Sequence, residues 1–175
     1  MNPYALPPLI TSIFVFLLGC FAFLQNRRAK PNFLFLLETI AIFLWLFSDY
    51  MMYSTQLQNK AFIWAKVSYI GAIFIPVFFF HFSLSFLSIN KFKFSLFASY
   101  ILGALFLLSL LLTSHLIAGA GKHYWGYYPK IGFLHTYFMA YYGFVLATTF
   151  SALYSHSKDQ ARPPQERNKI KLVLL

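Results

Sequence analysis

Acidic side chains and cysteine are scarce in this chain: its 175 residues hold four Asp and Glu together and one cysteine. The single thiol, Cys20, closes no intramolecular disulfide and is too little for a metal cluster. Charged residues of either sign make up only 10%, which excludes a disordered chain, a soluble basic nucleic-acid binder and a disulfide scaffold. No loop carries a nucleophile–base pair, a phosphate-binding loop or paired carboxylates, so the residues support no enzyme and call for no cofactor. Met1–Pro8 has neither a basic leader nor a small-residue cleavage site, so the first apolar block reads as a retained helix. Heptad seams, internal repeats and low-complexity linkers are absent as well.

What fills the sequence instead is apolar surface. Hydrophobic residues reach 59%, with Phe alone contributing 23. They lie in blocks such as Phe33–Tyr53, Ala61–Phe86, Phe94–Ala118 and Ile131–Tyr154, separated by short basic or aromatic connectors. About 20 helical residues cross a hydrocarbon core of roughly 30 Å. The expected fold is therefore all-α: a polytopic transmembrane helical bundle forming one membrane-embedded domain. Its five full spans fall near 7–25, 33–54, 61–88, 94–118 and 131–155, and the start of a sixth helix falls near 168. Pro7 and Pro8 suit a first helical turn, whereas Pro76 sits inside the third span and deprives the Ala72 carbonyl of its usual donor.

A net charge of +10 would point to nucleic acid in a soluble protein; between apolar blocks it marks orientation and headgroup contact. One set of loops, holding Arg27, Arg28, Lys30, Lys91, Lys93 and the basic residues from Lys158 to Lys171, carries ten Lys and Arg. The other set, with Lys60, Lys66, Lys122 and Lys130, carries four. The positive-inside rule then puts the first set in the cytoplasm and the N-terminus outside.

Ionisable groups within spans are costly and often functional. Glu38 and Asp49 lie eleven residues apart, about three turns, and so share one side of the second helix. They are open to three readings: a structural pairing, a ligand or proton site, or simple hydration. Depths counted at about 1.5 Å per residue pair Glu38 with His81 toward the inner side and Asp49 with Lys66 toward the outer side. The five histidines form no tight ligand pair and are expected at interfaces or in hydrogen bonds rather than on a metal. The connector Lys122-His-Tyr-Trp-Gly-Tyr-Tyr-Pro-Lys-Ile-Gly132 has two or three extended residues on each side of a turn and is expected to form a short hairpin. Its Tyr124, Trp125, Tyr127 and Tyr128 read either as an outer ligand pocket or as an interfacial aromatic belt.

Several stretches together resemble a known family. They are Asn26-Arg-Arg-Ala-Lys-Pro-Asn32 and the helix bearing Trp45; Trp64-Ala-Lys-Val-Ser-Tyr-Ile-Gly71 leading into Pro76 and Phe78–Phe82; the Trp125–Gly132 stretch; and Pro163-Pro-Gln-Glu-Arg-Asn-Lys-Ile-Lys171. In order and spacing the chain resembles the N-terminal seven-helix regions of bacterial membrane sensor histidine kinases, which also occur on some diguanylate cyclases. The resemblance implies a multi-pass sensor of the bacterial inner membrane that passes signals to a cytoplasmic kinase. It departs from the family where the chain stops inside the expected sixth helix, with no phospho-accepting histidine helix, ATP-binding boxes or cyclase motif. Implied partners are the lipid bilayer, a small ligand of unidentified class, and a second copy or a C-terminal kinase module; nucleic acid is not among them. The rival reading is a small multi-spanning transporter or channel subunit, for which the few midplane polar residues and missing repeat give little support. A third is an inert gene remnant.

Overall fold

The structure is a computed structural model that describes residues 2–157. A 3₁₀ turn over Pro3–Ala5 leads into α1 (Leu6–Gln25), followed by α2 (Lys30–Ser54), α3 (Gln58–Phe86) and α4 (Lys93–Leu112). Two strands, β1 (Ile117–His123) and β2 (Gly126–Ile131), precede α5 (His135–Ser157). The expected start of a sixth helix near 168 and the basic stretch before it lie outside the described residues.

Five helices form near the expected positions, but four, α1 to α4, are long and apolar enough to count as spans by length and composition. The fifth expected span, α5, has the length, at 23 residues, but not the apolarity. Hydroxyl side chains recur along it. Three of them turn back onto their own helix: Thr148 donates to Phe144 O, Thr149 to Val145 O and Ser155 to Ser151 O, at 2.8 to 2.9 Å. Such local bonds satisfy the polar groups that lower its hydropathy.

The expected span at 94–118 is also shorter than its apolar run. α4 stops at Leu112, Thr113 turns extended, and Ile117 begins a strand. The antiparallel hairpin runs from Ile117 opposite Ile131 to His123 opposite Gly126. It is longer than the two or three residues per side that were expected.

At the centre lies α3, against which α2, α4, α5 and both strands pack. Pro76 lies within it, and the helix continues past it. Gly71 allows a close backbone-to-backbone approach of α2 and α3: a Cβ there would stand 2.8 Å from Trp45 N and 3.3 Å from Leu44 Cβ. Small residues on α3 (Ala61, Ala65, Ser68) and on α2 (Ala41, Ser48) are buried and keep that pair tight. Small-residue seams of this kind drive helix pairing where lipid supplies no hydrophobic force. On the other side, Tyr141 of α5 reaches between helices, with its hydroxyl 3.2 Å from Ile73 O and 3.4 Å from Ser99 O. α1 is the peripheral helix. It meets α2 through Gly19 against Thr39, and Asn32 Nδ2 donates to Ala22 O at 2.8 Å.

Candidate functional site

The hairpin is fastened over the ends of α2 and α3. Asn2 Nδ2 donates to Tyr53 O and to Trp125 O at 2.8 and 2.6 Å, tying the N-terminus, α2 and the hairpin tip together. Gln58 of α3 donates to Ala120 O at 3.1 Å. Gly126 at the tip has φ +135°, and a side chain there would also collide with the Tyr53 backbone, so only glycine fits. The four connector aromatics divide their roles. Tyr127 points into the core, at 8% exposure. Tyr124 stays exposed and meets Trp125 edge-on at 4.4 Å between ring centres. Tyr128 faces sideways, into a cavity.

That cavity, about 360 Å³, lies between the α2–α3 pair and α5, next to the hairpin. Trp45 of α2 and Tyr128 form part of its wall; Tyr69, Ala72 and Ile75 come from α3; His135, Phe138, Met139 and Tyr142 come from α5. Its one internal polar link is the hydrogen bond between Tyr69 Oη and His135 Nδ1, at 3.0 Å. The rings of Tyr69 and Phe138 pack behind it at 5.6 Å. The Ala72 carbonyl has no helical donor, since Pro76 lacks an N–H. No charged side chain is among the lining residues. Aromatic walls with a few hydrogen-bonding groups are what a largely apolar small molecule requires, and the volume falls within the range of ligand sites.

The expected intramembrane pairs do not form. Glu38 is buried, at 7% exposure, and its carboxyl lies against the α3 backbone at Phe79. Its Oε2 has no hydrogen-bond partner among the described residues. His81 bonds instead to Tyr100 of α4, Nδ1 to Oη, at 2.9 Å. Two residues separate Phe79 from His81, a rotation of about 200°, so His81 leaves the face that Glu38 meets. The outer pair fails for the same reason. Asp49 Oδ1 accepts from Ser68 Oγ at 3.3 Å, while Lys66, two residues before, places Nζ 5.3 Å from the centre of the Phe62 ring. Both carboxylates meet α3, Glu38 at Phe79 and Asp49 at Ser68.

Of the histidines, His115 packs on Phe133 and His123 stacks on Trp125. No cluster of three His, Cys, Asp or Glu occurs among the described residues. The contribution of α5 to the cavity was not expected from the sequence. Its signal was present as the spacing of His135, Phe138, Met139 and Tyr142 on one helical face, and Pro76 already marked Ala72.

Residues 7–175 match the family described as the N-terminal 7TM region of histidine kinase. No curated protein and no solved structure matches the chain.

Proposed function

Because the chain belongs to the family of N-terminal 7TM regions of histidine kinase, we propose that it is the membrane sensor region of a two-component signalling protein and that the aromatic cavity receives its stimulus. The observation that carries this reading is the asymmetry of the bundle. On one side of the cavity α2 and α3 are locked by Gly71 and small residues. On the other, α5 meets them through rings, the Tyr69–His135 and Tyr141–Ile73 hydrogen bonds and a void. A molecule that fits one placement of α5 better than another shifts the balance between them, and that differential affinity is all a switch requires. The partners are the bilayer, a small ligand, and a kinase module or second copy that receives the movement.

Filling the cavity tests the reading. In a fusion of the whole chain to the dimerisation and catalytic module of a histidine kinase, Ala72→Leu is expected to change autophosphorylation in membrane vesicles by about fivefold or more, the lower end of ordinary site-to-site coupling. Phe94→Leu, on a side chain 84% exposed, should leave it unchanged. Equal activity in the two variants would remove the cavity from the mechanism.

The reading includes five spans in the bacterial inner membrane, with α5 as the fifth and the hairpin outside. Back-bonded hydroxyls make α5 tolerable in lipid, and the ten-to-four division of Lys and Arg supports the direction. In a Cys20→Ser background, Tyr124→Cys should react with a membrane-impermeant maleimide in intact cells, and Asn90→Cys only after permeabilisation. The reverse pattern would invert the topology.

A further inference from the structure

At the end of the bundle opposite the hairpin, a second cavity of about 310 Å³ opens where the α1–α2 and α3–α4 turns meet. Lys30 reaches it from the start of α2 and Lys93 from the start of α4; His81 and Ser85 come from α3, and Ser88 and Asn90 from the turn. A neighbouring cavity of about 470 Å³ shares Ser88 and Asn90 and adds Lys91. Among the described residues, no acidic side chain lines either one. We propose that this cavity binds a phosphate group, as carried by an anionic lipid headgroup or by free phosphate.

Lys30 and Lys93 line one and the same cavity. Lys30 and Lys93 each occupy the first position of a helix, where the positive end of the macrodipole disfavours a cation. Neither helix start is capped by a side chain, and neither has an acidic residue in its first turn. Ser88 adopts φ +55°, a conformation uncommon outside glycine, at the corner that both cavities share. Around these charges stand hydroxyl, amide and imidazole groups that hydrogen-bond to phosphate oxygens. Basic cavities between membrane helices at headgroup depth suit phosphate-bearing lipids. This site is separate from the aromatic cavity, and its occupancy does not depend on the sensor reading.

The test uses the full chain in nanodiscs made of equal parts phosphatidylglycerol and phosphatidylcholine, with the lipid retained after detergent extraction read by native mass spectrometry. Wild type is expected to retain phosphatidylglycerol preferentially. Lys30→Gln with Lys93→Gln should lose that retention about 25-fold, about fivefold for each lysine. Lys30→Arg with Lys93→Arg should keep it, as should Lys122→Gln with Lys130→Gln, the same charge change on the hairpin. In a second arm, inorganic phosphate is added to discs of phosphatidylcholine alone. A rise in the thermal midpoint of wild type that the double Gln variant lacks identifies free phosphate as a ligand for the same groups. Selective phosphatidylglycerol retention without that rise identifies the lipid. The site is overturned if neither probe separates wild type from the double Gln variant, or if the hairpin variant loses as much.

Discussion

Replacing Gly71 by valine is expected to destabilise the bundle markedly. The added Cβ would lie 2.8 Å from Trp45 N and 3.3 Å from Leu44 Cβ, and it would also meet the Ala41 carbonyl oxygen. Two of these three contacts are backbone atoms inside α2, which cannot rotate away as a side chain does. The helices must separate, and the seam of Ala41, Ser48, Ala65 and Ser68 loses contact along its length. Overpacking of this kind costs roughly 1–3 kcal/mol or more, against a gain of up to about 1 kcal/mol for removing a helical glycine. Gly143→Val is the matched control, since nothing lies within 4 Å of a Cβ there. Thermal unfolding in detergent should show a clear drop for Gly71→Val and little change for Gly143→Val. Similar midpoints would mean that the α2–α3 contact is looser than described.

Glu38→Met should act in the opposite direction. The carboxyl is buried at the α2–α3 interface with one oxygen lacking any partner among the described residues. Leaving such a group without a hydrogen bond costs about 1–3 kcal/mol. An apolar side chain of similar length removes that penalty and keeps the contact with the Phe79 turn, so the thermal midpoint should rise. Glu38→Gln keeps a polar group in the same place and should gain less. A midpoint lowered by Glu38→Met would show that the carboxyl holds the interface together. A group that weakens the fold in which it sits is the kind of intramembrane residue that function retains. Glu38 therefore remains a candidate even though its expected partner is not there.

The two failed pairings show what a one-dimensional reading leaves out. Counting residues along α2 and α3 gave the depth of Glu38, His81, Asp49 and Lys66, but depth is only one coordinate of a side chain on a helix. Two residues turn the direction by about 200°. That rotation takes His81 to Tyr100 and Lys66 to Phe62, and leaves the Phe79 backbone and Ser68 facing the carboxylates. The end of the fourth apolar block was misread for a related reason. Leu116 and Ile117 are as apolar as the helix before them and are buried, and apolarity does not distinguish a buried strand from a helix.

The sequence by itself determined what depends on local composition: five helices near their expected positions, four of them long and apolar enough to cross a bilayer, a hairpin in the aromatic connector, and the membership that residues 7–175 carry. Each of these is written in consecutive residues, because helix formation in lipid is forced by backbone hydrogen bonding within a segment. Only the tertiary structure decided which side chains meet. Trp45, Tyr69, Tyr128 and His135 come from four elements and share one cavity, and Lys30 and Lys93 come together at another. Those meetings depend on how each helix is rotated about its axis, and rotation is set by close packing at places such as Gly71, where backbone meets backbone.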